Sequence, residues 1–389
     1  MLMSHPIHSY QHQAMYKTTV GNGSRYVPLD ADNLARRLLV LTNFYLNAHD
    51  ESPLDVAELG QLHWLLDSYY NGSGYSVHDI LRDLSPDCGD LVPRGLIYGA
   101  PVNTSQLFLK RSTTASVCCI FNYRRPSYSH ARRAQDDAEM SALPQVVFES
   151  NSILNGIQFV LQDIKEDDLT ERYLSNTAFR LMIFPQEDYA TVQSNKHGEL
   201  LVDHNTIVEV PIQPKFFDSS NAVRGVTPQT RRCYFPEEGR QLLNQSYYSL
   251  DECMLLCRIE SMVQHCGCVS SPMAGTARNV SYCTLLDLPC LMKWRNIWHG
   301  YNEYPYVQED AASISQCLHC LPTCDGVNFE IISNVAPLRK SYNSSGYNRG
   351  LLKGLNNDRP LSIIKLFFKL RFAQATQMDM VGDWVVLLS

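Results

Sequence analysis

Leu59, Leu62, Leu65 and Leu66 recur at helical spacing with polar residues between them, which predicts a helix with one apolar face. Ser52-Pro53-x-Asp55 ahead of it is a start signal. Serine caps free N–H groups, proline supplies the fixed φ of a first helical position, and an acid suits the positive end of the helix. The pattern breaks at Asn71-Gly-Ser-Gly74, and Ser76-x-x-Asp79 opens a shorter helix. A third signal, Ser249-x-x-Glu252, predicts a helix from near Leu250 that carries Cys253 and Cys257 on one face.

Elsewhere the period is two. "QVVFES" (145–150), "GIQFVLQDI" (156–164), "AFRLMIFP" (178–185), "TIVEVPIQP" (206–214) and "VNFEII" (327–332) are β-rich and bounded by turn residues. In "SIIKLFFKLRF", Ile364, Leu366, Phe368, Leu370 and Phe372 alternate with Ile363, Lys365, Phe367, Lys369 and Arg371, which predicts a strand with one apolar face. The sum is an α+β fold, with sheet early and late and helical, cysteine-rich insertions between.

The chain has 389 residues and a formal net charge of −7, and its Lys and Arg form no basic stripe with interleaved aromatics. Nucleic acid is therefore not an expected partner. Thirteen cysteines are unevenly spread: ten lie between Cys233 and Cys324, and only Cys88, Cys118 and Cys119 precede them. That density is characteristic of a disulfide module made in an oxidising compartment. Asn-x-Ser/Thr sequons at Asn22, Asn71, Asn103, Asn244, Asn279 and Asn343 agree with such a route. Yet "MLMSHPIHSYQHQ" has no signal-peptide core, and no apolar run reaches the roughly 18 residues that cross a bilayer. Oxidising-compartment chemistry without an export signal leads us to expect an incomplete chain.

Cys253 and Cys257 are four apart, so their side chains leave one helix face nearly parallel and are poorly placed to bond to each other. Each needs a partner elsewhere, and Cys317 and Cys320 offer a matching pair of rungs. An antiparallel arrangement would join Cys253 to Cys320 and Cys257 to Cys317. Extending the nesting would join Cys233 to Cys324, leaving Cys266 and Cys268 to face Cys290 and Cys283. Spacing alone does not select this ladder among the connectivities open to ten cysteines. "CLHCLPTC" also admits a zinc or iron–sulfur reading, although no second C-x2-C stands at ribbon spacing and Cys266-x-Cys268 suits a tetrahedral site badly.

No G-x-S-x-G, H-E-x-x-H or P-loop is present, so an enzyme is not expected. Trp294, Trp298, Tyr301, Tyr304 and Tyr306 form either a ligand-contacting surface or packing for the disulfide loop. The acidic runs at 165–168 and 186–189 are either cation sensors or solvated loop charge.

"RCYFPEEG", "YYSLDECMLLCRIESMVQHCGCVSSPM", "YCTLLDLPC" and "CLHCLPTCDGVNFEI" together resemble the cysteine scaffold of the degenerin/epithelial sodium channel family. The doubled cysteine of "TTASVCCIFN" points to its insect pickpocket branch. The resemblance implies the same nested pairings: Cys233–Cys324, Cys253–Cys320, Cys257–Cys317, Cys266–Cys290 and Cys268–Cys283. It departs at Ser116 and Ile120, and at Gly95 and Thr104, near which pickpocket-like fingers carry two further cysteines. Cys88–Cys119 is then the expected finger bridge, and Cys118 would pair with a cysteine that this chain lacks.

The implied fold is a disulfide-rich ectodomain of the clenched-hand type. Residues 1–29 are expected to be an irregular or atypical N-terminal segment and 30–125 a helical finger region. Residues 126–232 would supply palm and β-ball strands, 233–325 the cysteine-rich thumb, and 326–389 the knuckle and palm strands leading to a second membrane helix. The implied function is the extracellular, gating region of an amiloride-sensitive, sodium-selective channel subunit at the plasma membrane. It would act as a homo- or heterotrimer with related subunits, without a cofactor and without the pore helices. The rival reading is a secreted, disulfide-rich binding protein.

Overall fold

The computed structural model describes residues 15–20, 23–28, 37–44, 56–70, 72, 74–114, 117–123, 144–162, 178–186, 188, 198–239, 248–270, 280–299, 317, 319–338, 349–352, 354–355 and 359–379. In chain order, β1 (Met15–Val20) and β2 (Gly23–Pro28) form an antiparallel hairpin within the segment expected to be irregular or atypical. The β-branched run Thr18-Thr19-Val20 and the two-residue connection at 21–22 account for it.

Helices α1 (Val56–Tyr69) and α2 (Val77–Leu84) follow. Leu59, Leu62, Leu65 and Leu66 are the buried face of α1, as their spacing predicts. The Ser76 side chain caps α2 by accepting from the Asp79 N–H. After one helical turn at Cys88–Leu91, the expected helical texture gives way to four strands: β3 (Arg94–Ile97), β4 (Ala100–Val102), β5 (Phe108–Ser112) and β6 (Val117–Phe121). The strands after them are β7 (Ile157–Gln162), β8 (Phe179–Ile183), β9 (Gly198–Val202) and β10 (Thr206–Ser219). Helices α3 (Leu250–Cys266) and α4 (Leu288–His299) precede β11 (Gly326–Ile331), β12 (Asn334–Pro337), β13 (Leu361–Phe368) and β14 (Gln374–Met378).

The main sheet runs β11-β10-β13-β7-β3-β4 and is organised by β10, whose fourteen residues accept two partners along each edge. Antiparallel β12 and β11 lie on one side; parallel β13 and β14 lie on the other. β13 is therefore interior, and the one-faced strand expected of it is corrected. Ile363 packs with Val160, Leu351 and Leu352 on one face, while Ile364 packs with Val202, Val208 and Val210 on the other. The strand ends at Phe368, and Phe372, expected in its apolar face, is 69% exposed.

"QVVFES" is not a strand. Its backbone is satisfied by other groups: Asn122 bonds both the N–H and the C=O of Val146, and Glu149 N–H donates to the Tyr98 hydroxyl. Ser150 C=O accepts from Phe368 N–H. Such one-off bonds replace a ladder and leave no sequence period.

The helices form a separate core. Leu62 and Leu66 of α1, Ile80 and Leu81 of α2, Leu255 of α3 and Trp298 of α4 belong to one buried cluster.

Candidate functional site

The segment between β10 and β11 is an excursion from one edge of the main sheet, since those two strands are neighbours in it. Ser249 starts its first helix, accepting from Glu252 N–H at 3.2 Å, and Gly267 ends it with a φ of 70° that suits glycine. On the face so positioned, Cys253 is bonded to Cys320 and Cys257 to Cys317. Cys233 and Cys324 close the base of the excursion, spanning 91 residues. Cys266–Cys290 and Cys268–Cys283 hold the connection between α3 and α4. Cys88 is bonded to Cys119, and Cys118 lies outside the six disulfides, with Thr113 Oγ1 3.6 Å from its sulfur.

Cys253, His319 and Cys320 place three potential metal-ligand atoms within 4.8 Å of one another. The Cys253–Cys320 bond consumes both thiolates, and metal ligation needs the thiolate, so only His319 remains as a donor.

Of the aromatic residues singled out above, Trp298 is fully buried and its indole N–H donates to Ser261 Oγ at 3.0 Å. Trp294 lies against His265 with ring centroids 4.5 Å apart and the planes tilted by 54°. Both act as packing between α3 and α4. Tyr301, Tyr304, Tyr306, the acidic run at 165–168 and the sequons Asn22, Asn71, Asn244, Asn279 and Asn343 lie outside the described residues. Asn103 is exposed. Of the second acidic run, Asp188 is buried. Gly95, where the resemblance places a further cysteine, has no room for one: a β-carbon there would stand 2.8 Å from the Phe159 ring.

Two junctions escaped sequence reasoning. At the first, Tyr75 ties α1 and α2 to the disulfide module. Its hydroxyl accepts from Leu285 N–H at 3.1 Å and lies 2.8 Å from His63 Nδ1, an arrangement satisfied when the hydroxyl proton is donated to that nitrogen. Burial, above all, pushes Tyr75 up to about 12; the Leu285 N–H opposes the shift, and Asp287 and Asp67 add to it.

At the second junction, Phe235 lies beneath two guanidinium groups, Arg224 at 4.1 Å and Arg231 at 4.6 Å from its ring centroid. Arg231 is held by Glu238 and by the carbonyls of Val226 and Cys233. Arg224 reaches Glu237 and Asp325. The adjoining end of β10 is fastened to the same place: Ser219 Oγ donates to Cys324 C=O at 2.8 Å, and Ser220 N–H donates to Met378 C=O at 2.9 Å. The only sequence signal for this knot is Arg and Phe four apart in "TRRCYFPEE", which is weak by itself.

A family model described as amiloride-sensitive sodium channel matches residues 16–389. The chain belongs to that family. Its family is one of ion channels, not of enzymes. It is 21% identical to the sodium channel protein Nach of Drosophila melanogaster, over 92% of this chain and 62% of that protein. It is 20% identical to pickpocket protein 11 of the same species, over 70% of this chain and 44% of that protein. Nach of Drosophila virilis is 22% identical over 84% of this chain and 76% of its own length. Within that family the chain is similar to insect Nach and pickpocket proteins, and it spans less than two thirds of the first two relatives. Among the described residues no helix is long and apolar enough to cross a membrane.

Proposed function

We propose that the chain is the extracellular gating region of a trimeric, amiloride-sensitive, sodium-selective channel subunit at the plasma membrane. The family match across residues 16–389 carries this reading. In clenched-hand terms, 30–125 is the finger, 126–232 the palm and β-ball, 233–325 the thumb, and 326–389 the knuckle and returning palm strands.

Three features support a gating role. The disulfides make α3, α4 and the cysteine loop a stiff body. Tyr75 links that body to α1 and α2, where a stimulus acting on the finger would be felt. The Phe235 knot and the Ser219 and Ser220 contacts link it to β10 and to Met378 in β14. A tilt of the stiff body would thus be delivered to the sheet rather than absorbed within the loop. Conduction itself needs membrane-crossing segments, which the described residues do not supply.

The test is expression of the full open reading frame in oocytes, alone and with related subunits. The expected result is an inward current that disappears when sodium is replaced and when amiloride is added, with cross-linking that stops at three subunits. Accumulation of the protein in the medium, with no current in any combination, would replace this reading by that of a secreted, disulfide-rich binding protein.

A further inference from the structure

The end strand of the main sheet carries a second kind of information. β3 and β4 are joined by Tyr98-Gly99, both with positive φ (54° and 77°), the geometry of a two-residue type I′ turn. In such a hairpin the flanking pair, Ile97 and Ala100, exchanges hydrogen bonds, so the next pair turns its backbone groups outward. For Leu96 outward means β7, where it faces Gln158. For Pro101 it means the side on which no further described strand pairs. Proline has no N–H to offer there, which is how exposed edges are commonly kept from recruiting another strand. Asn103 follows directly on Val102, the last residue of this strand.

We propose that Asn103 carries an N-linked oligosaccharide and that this glycan, with Pro101, closes the open edge of the main sheet. The proposal rests on the reading that the chain passes through the secretory pathway. Asn103-Thr104-Ser105 is a sequon, Asn103 is exposed, and Thr104 is buried and anchors the turn. Gln106 N–H donates to Asn103 C=O at 3.2 Å, and Ser105 Oγ donates to Asn103 Oδ1 at 2.8 Å. The side-chain oxygen is thus engaged, while Nδ2 has no partner among the described residues.

In the transfer, Nδ2 bonds to the anomeric carbon of a lipid diphosphate-linked oligosaccharide. The bond from that carbon to the diphosphate oxygen breaks, the diphosphate leaves on its lipid, and Nδ2 gives up one proton. Nδ2 is then the atom that bears the sugar. Such a glycan is bulky and strongly solvated. Placed at the end of a three-residue edge strand, it occupies the space an incoming strand would need.

Glycopeptide mass spectrometry on the full-length protein from insect cells tests occupancy, with enzymatic deglycosylation in isotopically heavy water marking each modified asparagine. Asn103 should be occupied. Asn103→Gln and Ser105→Ala should each lose one glycan, and in mild-detergent extracts each should raise the aggregate fraction on size exclusion several-fold. Ser105→Thr, which keeps the sequon, should match the wild type. A bare Asn103 beside occupied sequons elsewhere overturns the proposal. An occupied Asn103 with no change in aggregation for either variant overturns the role at the sheet edge. Six bare sequons together with free thiols at the ladder cysteines would overturn the secretory reading itself.

Discussion

Cys253 and Cys257 stand one turn apart on a single face of α3, and their partners follow in the reverse order along the chain, Cys320 for the first and Cys317 for the second. A serine at one rung therefore leaves a thiol beside the other, intact rung. Thiolate attack on a neighbouring disulfide is the ordinary route of reshuffling. Cys257→Ser should be retained in the secretory pathway and scrambled more severely than Cys257→Ser with Cys317→Ser, which leaves no orphan. Nonreduced peptide mapping checks the pairing. A peptide linking Cys253 to Cys257, or either to Cys266 or Cys268, would contradict the ladder.

The same bonds set how the module responds to reagents. Native disulfides in such domains contribute about 2–5 kcal/mol each. Dithiothreitol should therefore unfold residues 233–324, and EDTA should leave them unchanged, as read by circular dichroism. The opposite pattern would revive a metal at His319.

Tyr75 predicts an alkaline limit. Its folded-state value of about 12 lies above its ordinary 10, so its contribution is complete below pH 10 and is lost as pH rises toward 12. The tyrosine is partly solvated, so the loss should be about 2 kcal/mol at most. Tyr75→Phe strands the Leu285 N–H and should cost about 1–3 kcal/mol at neutral pH. It should also flatten the pH 10–12 part of the denaturation curve relative to wild type. A variant that keeps the wild-type slope there would assign the effect to other tyrosines.

Two glycines make a matched pair of tests. A β-carbon at Gly156 would collide with the Leu366 carbonyl oxygen, which belongs to the backbone of β13 and cannot swing aside. Gly156→Ala should destabilise by about 1–3 kcal/mol or more. Gly60 lies within α1 with nothing near the added carbon, so Gly60→Ala should stabilise by about 1 kcal/mol through helix propensity. Thermal melts of both variants read the signs, and Gly156→Ala melting with the wild type would show that β13 has slack.

What was legible in the sequence was what short-range chemistry decides. Ser76 and Ser249 announce their helices because a capping bond spans only three residues. The four leucines of α1 do so because one face of a helix repeats within a turn or two. The position of β13 was not legible, because whether Ile363 faces water or Leu351 is decided by strands and loops far along the chain. β3 to β6 were missed because they are short and follow a helical run. At the site, spacing proposed the two rungs on α3. Tyr75 and Phe235 remained invisible, since a hydroxyl's partners and a ring's stacking cations lie where only the fold can bring them.

β14 runs parallel to β10 over the pairs Lys215–Gln374 to Ser219–Met378, and the Ser220 hydroxyl donates to Asp379 Oδ1 at 2.7 Å just beyond. A pull on Asp379 along the strand would load those rungs in shear, all together, whereas a pull across the sheet would peel them one by one. The attachment is therefore anisotropic: rigid to tension along its own length and yielding to sideways load. A force reaching this end of the sheet would be sorted by its direction before its size mattered.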